Sequence, residues 1–402
     1  MQLTELKEDI LQRWIAAFGG IDRVEQAKAA AVRYVYARNE CYQLNNYDGR
    51  QITPDEEVFP EPTEDTGYKY GLDKKGRPCY LFYEHQHNQV AWEGYFHYSE
   101  EGALYVEFNR NESTPVKAQR VYMEAGRVAG YQSCMINGLQ LGPAYATLAP
   151  AVMVPQLIQN HALILEVEKY RYEEGRIAGT KRLSIVPGIG EYLSEQQYVY
   201  NEKGELQEIS RVDDGGHVMF DYVKAPEGKT LADLADELSI QIADAVTAGL
   251  LAQGIGEPLT IIELNYRAAD NYHPLVKLLT AEEQRRLAGE LEGEELMQAM
   301  LFSDGEYITV DDAAHARLLK AFTDETLRSE QYDVADGMMH QVARHLTASR
   351  FSGKIPLDDH FFVYAVDWSL SDDDTISLLR ACGMSEDTFA YWRSRGLFTG
   401  EE

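Results

Sequence analysis

Two histidines at alternate positions are the first chemistry this sequence offers. In Glu84-His85-Gln86-His87-Asn88, His85 and His87 would share one face of an extended strand. That spacing can hold zinc if a third ligand, such as His97 or Glu84, converges on them. A polar strand end or hairpin turn after Tyr80–Tyr83 would read the same way. His340 and His345 stand five apart on a predicted helix, which separates their rings by about 140° and rules out a metal pair. Asp213-Asp214-Gly215-Gly216-His217 lacks the further acids of a calcium loop and reads as a hairpin turn. Val186-Pro187-Gly188-Ile189-Gly190 has neither the glycine spacing nor the lysine of a phosphate loop. There is no G-x-S-x-G, and no cysteine has a histidine beside it. Acid–base candidates gather at the ends of two predicted strands. Glu263, Tyr266, Arg267, Asp270 and His273 follow one, and His360 and Asp367 flank the other. Such groups would work as an enzyme site in a cleft between the two halves of the chain, and they also fit ordinary loop edges. Tyr98, Tyr172, Tyr198 and Tyr200 are the candidate protein-binding residues, since tyrosine joins apolar area to a hydroxyl.

Composition narrows the classes. The 402 residues suggest two or three domains, and 45% hydrophobic content suffices for ordinary cores. Against 37 Lys and Arg stand 66 Asp and Glu, a net charge of −29. That field repels nucleic acid and anionic lipid and attracts a basic partner, though acidity also serves solubility. Cys41, Cys79, Cys134 and Cys382 are too dispersed for a disulfide framework or a C-x-x-C site. No apolar run approaches the ~20 residues of a membrane helix. The N-terminus lacks the pattern of a signal peptide, so a cytoplasmic location is expected. No cofactor is expected.

Helical periodicity runs over residues 3–37, broken at Gly19-Gly20, with a second helical stretch from Asp22 to Arg38. Residues 45–67, with Pro54, Pro60 and Pro62, read as a loop. Five stretches then share one outline: an alternating apolar run, a polar turn, a glycine, and another alternating run. Their glycines are Gly76, Gly102, Gly126, Gly175 and Gly204, spaced by 26, 24, 49 and 29 residues. Tyrosine and valine at alternate positions favour a pleated strand, and a polar turn ending in glycine closes a hairpin. The 49-residue gap spans about two periods and carries the Pro- and Leu-rich stretch Leu141–Leu157, which reads as an inserted element. After Pro226-Glu227-Gly228 the composition shifts. Helices are predicted at 230–252, capped by Thr230, and at 280–300, 311–328, 330–349, 372–382 and 385–395. Strands are predicted at 259–266 and 361–368. The expected fold is α+β: residues 1–66 form N-terminal helices and an acidic Pro-containing loop, 67–226 an antiparallel β-hairpin repeat domain or meander, and 227–402 a helix-dominated α+β domain.

Tyr198-Val-Tyr-Asn-Glu-Lys-Gly-Glu-Leu206 and Tyr170-Arg-Tyr-Glu-Glu-Gly-Arg-Ile177 carry a family resemblance. Residues 68–222 resemble the Tyr-Asp hairpin repeats of bacterial Rhs and wall-associated proteins, although the acid after the second tyrosine varies and the spacing is looser. The C-terminal segment Thr375–Phe398 resembles the helix-turn-helix of MerR-type regulators at Thr375, Ile376, Leu379, Gly383, Ser385, Thr388, Tyr391, Trp392, Gly396 and Leu397. That resemblance implies DNA binding through Arg380, Arg393 and Arg395. Asp372-Asp373-Asp374 and the net charge oppose it. The expected function is therefore a non-enzymatic module that binds a basic protein, such as an immunity protein neutralising a bacterial toxin. An enzyme with a site in the cleft between the halves and a DNA-binding regulator are the alternatives.

Overall fold

A computed structural model describes residues 2–42, 44–52, 57–85, 90–138, 145, 148–212, 216–267, 271–301, 306–367 and 375–398. The chain divides into two compact units, Met1–Asp221 and Tyr222–Glu402.

Alternation of apolar and polar residues gives the first unit a thirteen-stranded antiparallel sheet. Its strands are β1 (Arg33–Ala37), β2 (Val58–Phe59), β3 (Tyr68–Leu72), β4 (Pro78–His85), β5 (Val90–Ser99), β6 (Gly102–Asn109), β7 (Thr114–Glu124), β8 (Arg127–Ile136), β9 (Leu163–Glu173), β10 (Arg176–Val186), β11 (Gly190–Tyr200), β12 (Leu206–Val212) and β13 (Val218–Val223). From β3 to β13 each strand pairs with its sequence neighbour, and β1 sits between β3 and β2. The predicted hairpins are present. The five turn glycines mark the β3–β4, β5–β6, β7–β8, β9–β10 and β11–β12 connections, all at one end of the sheet. At the β9–β10 turn, Glu174 and Gly175 have φ of 50° and 81°, the left-handed pair of a type I′ turn that matches strand twist. The long third gap is not a missing repeat. The helix Pro150–Gln159 lies in the β8–β9 connection, at the other end of the sheet.

Helix α1 (Leu3–Ala17) starts where the Glu5 carboxylate accepts the Gln2 N–H at 2.7 Å. It buries Leu6, Ile10 and Trp14 against β7 to β10, and the Trp14 indole donates to the Pro115 carbonyl at 3.1 Å. Helix α2 (Asp22–Ala30) covers β3 to β5, and the helix Pro150–Gln159 packs on α1. The prediction of helix to Arg38 is corrected here: α2 ends at Ala30, and Arg33-Tyr-Val-Tyr-Ala37 forms β1, paired with β3. β-Branched and aromatic residues at alternate positions win there because an adjacent strand is available.

The second unit contains a four-stranded sheet in the order β16–β15–β14–β17. β14 (Leu259–Arg267) and β15 (Asn271–Thr280) form a hairpin, β16 (Ile308–Thr309) adds at its edge, and β17 (Leu357–Asp367) runs parallel to β14. The helix Leu231–Ala252 begins with a reciprocal cap: Thr230 Oγ1 accepts from Asp233 N at 3.2 Å, and Asp233 Oδ2 accepts from Thr230 N at 2.8 Å. It packs through Leu234, Leu238 and Ile242 against the helix Tyr332–Ser349, which also covers β17. Residues 271–280, to which the sequence assigned no element, are a strand, and two predictions need correction: the predicted helix 280–300 is two helices, Ala281–Glu290 and Gly293–Leu301, and the helix expected from 311 begins at Ala316. The closing helices are Thr375–Ala381 and Glu386–Ser394, turned at Gly383 and capped by Ser385, whose Oγ accepts from Thr388 N at 3.1 Å. No helix among the described residues is long and apolar enough to cross a membrane.

Candidate functional site

Cross-strand register sorts the side chains of the long sheet onto two faces. Leu183 on β10 belongs to the core under α1 and stands opposite Leu193 on β11, so Leu193 lies on the helix side. Gln197 of β11 pairs with Ser210 of β12, which puts Ser210 and Val212 on that side too. The main packing of α1 ends at β10, and beyond it these side chains are bare: Leu193 is 71% exposed, Val212 62% and Val218 52%. Together with Glu195, Gln197 and Ser210 they line a shallow hollow of about 620 Å³. Glu191 and Glu195 stand at its β11 side, paired with Lys7 and Lys181. Scattered exposed aliphatics are normal on proteins, whereas a contiguous apolar strip rimmed by charge marks a contact surface.

The candidate binding tyrosines prove to be engaged within the sheet. Tyr172 donates to the Val128 carbonyl at 2.7 Å while the Arg127 guanidinium lies 4.4 Å from its ring. Tyr200 repeats this one hairpin later, with the Ile177 carbonyl at 2.8 Å and Arg176 at 5.8 Å. Arg77 lies 4.3 Å from the ring of Tyr98, whose hydroxyl is pushed up to about 12 by burial. In each case the arginine after a turn glycine lies over the second aromatic residue of the aromatic-x-Tyr pair in the next glycine-marked hairpin. Tyr198 is buried and shares a 2.8 Å hydrogen bond with Thr180. The signal for this arrangement is in the sequence, as Gly126-Arg-Val-Ala-Gly130 and Gly175-Arg-Ile-Ala-Gly179. The second glycine matters as well: a Cβ on Gly130 would stand 2.0 Å from the Glu168 carbonyl and 2.5 Å from the Tyr122 ring.

The opposite face holds a buried polar network that sequence reasoning missed. Arg182 on β10 donates from Nε to Glu168 Oε1 at 2.6 Å and from Nη2 to Asp48 Oδ2 at 2.5 Å, with Glu166 Oε2 at 3.8 Å. Asn46 Nδ2 donates to Glu166 at 3.0 Å, and Gln196 Nε2 donates to Asp48 at 3.1 Å and Asp221 at 2.8 Å. Asn46 and Asp48 come from residues 44–52, which, like residues 38–42, lie along this face; Tyr70 donates to the Cys41 carbonyl at 2.7 Å and Tyr47 N donates to Tyr170 at 3.0 Å. Three carboxylates thus meet one guanidinium. Burial raises Glu168 to about 8; the charges of Asp48 and Glu166 push the same way, and Arg182 opposes them. Glu166 is raised for the same reasons. Asp48 Oδ1, Glu168 Oε2 and Ser184 Oγ are buried without hydrogen-bond partners among the described residues. The arrangement can store a proton and anchor a loop.

In the second unit the acid–base candidates do not gather into one site: Tyr266 and Asp367 meet beside Asp336, while Glu263 faces the other side of the sheet. Glu263 is buried, accepting from Tyr364 at 3.0 Å, Asn265 at 3.0 Å and Lys277 at 3.4 Å. Asp367 stands opposite Tyr266 in the β14–β17 register, one register step out of phase with the Glu263–Tyr364 pair, so the two acids face opposite sides of the sheet. Tyr266 donates to Asp336 at 2.9 Å, and burial together with the charge of Asp367 raises Asp336. His273 is buried; its Nε2 contacts the Val310 carbonyl at 2.9 Å and its Nδ1 contacts His315 Nε2 at 3.2 Å. Because a carbonyl only accepts, His273 carries its proton on Nε2, so His315 must donate from Nε2 in the neutral pair. His360 stacks on Tyr391 at 3.7 Å, and Arg267 is exposed at a strand end. Asp270 lies outside the described residues.

His87 and the side chain of His85 also lie outside the described residues, and His97 and Glu84 are exposed. No group of three or more His, Cys, Asp or Glu that could hold a metal converges among the described residues. Arg380 pairs with Glu386 at 3.3 Å, and Arg395 lies 4.8 Å from the Tyr391 ring. No protein-family model matches the chain, and no curated protein matches it.

Proposed function

We propose that the chain is a non-enzymatic protein-binding module that captures a basic protein, as a bacterial protein neutralising a basic toxin domain would. The observation that carries this reading is the uncovered helix-side face of β11 to β13, where apolar side chains are exposed beside carboxylates. The net charge of −29 supports it, because an acidic field speeds encounter with a cationic partner. The internal engagement of Glu263 and His273 gives the enzyme alternative less to work with, since both groups are already hydrogen-bonded to partners inside their own unit. The test is calorimetric titration of the full chain with the basic protein encoded beside its gene, at two ionic strengths. Submicromolar binding that weakens with salt is expected. Absence of binding at low salt to any neighbouring gene product would refute the reading.

A further inference from the structure

Resting on the capture reading, we infer that the face of β11 to β13 receives one amphipathic, lysine- or arginine-bearing helix of the partner, laid beside α1. The geometry follows from what α1 already does. On β7 to β10 the sheet is covered by a helix that buries one stripe of Leu6, Ile10 and Trp14. The same face continues for three more strands with Leu193, Val212 and Val218 exposed. Strands lie about 4.8 Å apart, so three of them span roughly 10 Å, the diameter of one α-helix with its side chains. The strip borders α1 at the Lys7–Glu191 pair, so a helix laid there lies on the same face of the sheet as α1. Its rim chemistry is also set. Glu191, Glu195 and Glu208 share this side of the sheet, against Lys181 and, at the border with α1, Lys7. A helix with an aliphatic stripe for Leu193, Val212 and Val218 and a basic flank toward these glutamates satisfies both features. A lone strand does not fill the width, and an acidic helix does not match the charge.

The test uses the full chain with Leu193→Cys, labelled at that position by an environment-sensitive dye. Cys41, Cys79, Cys134 and Cys382 are all buried, so the introduced thiol is the reactive one. The probe is a lysine–leucine peptide of about 15 residues with helical spacing, against a scrambled peptide of the same composition. The inference expects a blue shift with the helical peptide alone. It also expects Leu193→Asp and, separately, Val212→Asp to weaken binding of the basic partner at least about tenfold without lowering the melting temperature. Equal response to the scrambled peptide would overturn it. So would failure of the introduced thiol to take the label because another copy or another part of the chain lies over it. If the basic partner binds Leu193→Asp as tightly as the unaltered chain, capture stands and this face falls. If the unaltered chain binds no basic protein, capture itself falls.

Discussion

Replacing Arg182 with methionine removes the cation at the centre of a buried cluster of three carboxylates. The side chain of Arg182 is 12% exposed, that of Asp48 11% and that of Glu168 0%, so water does little to screen what remains. Deleting one partner of a buried ion pair costs about 3–5 kcal/mol, because the other charges stay behind unpaired. For a unit of this size each kcal/mol lowers the melting temperature by about 2–4 °C, giving roughly 6–20 °C. The loss must depend on pH. Glu168 is already raised by burial, and without Arg182 it rises further. An acid whose folded value lies above its unfolded value contributes stability below the unfolded value, about 4.3, and loses it as pH rises through the folded value. Arg182→Met should therefore be damaged more at about pH 8 than at about pH 5, where protonation relieves the repulsion. Thermal melts of the full chain, followed by circular dichroism in the β region, check this. A shift under about 2 °C at pH 8, or a larger loss on the acid side, would refute the reasoning.

Gly130→Ala should break the β8–β9 ladder and cost about 3 kcal/mol or more, because its Cβ would meet the Glu168 carbonyl at 2.0 Å. Gly126→Ala, four residues earlier at φ +79° with open space around it, should cost only about 1 kcal/mol of backbone strain, and parallel denaturant titrations separate the two. Tyr200→Phe removes a 2.8 Å bond to the Ile177 carbonyl and should cost about 1 kcal/mol, visible as a lower urea midpoint with unchanged slope. Burial and the neighbouring His273 hold His315 below its ordinary value, against the weaker opposite pull of Asp312 and Asp311. A depressed base contributes stability above its unfolded value and loses it as pH falls. The second unit should thus melt earlier below about pH 6.5, and His315→Gln should flatten that slope.

The hairpin architecture was legible because a period of two and a turn glycine are local signals. Tyr170-Arg-Tyr-Glu-Glu-Gly-Arg-Ile177 specifies two strands and their turn without help from elsewhere. β1 was not legible: Arg33–Ala37 follows an alanine-rich helix, and only pairing with β3 makes it extended. β15 was missed because Pro274 argues against a strand. The ladder accommodates it beside a register irregularity between Asn265 and Arg267, and β16 pairs only at Leu275 and Val276. The polar network was invisible for a different reason. Asp48 and Arg182 are 134 residues apart, and nothing in either segment announces the other. The bare face is a property of where α1 stops, and amphipathic spacing says which stripe a helix buries, not how many strands it reaches.

Serial pairing from β3 to β13 makes the first unit nearly one-dimensional. Each new strand closes a short loop onto the one before it, so chain entropy is lost in small steps and contacts stay local in sequence. A sheet of this kind can assemble by zippering from any hairpin already formed. It can also gain or lose two strands at a time without rewiring the rest, so its length, and with it the width of surface it offers, is open to change through duplication or deletion of a single hairpin.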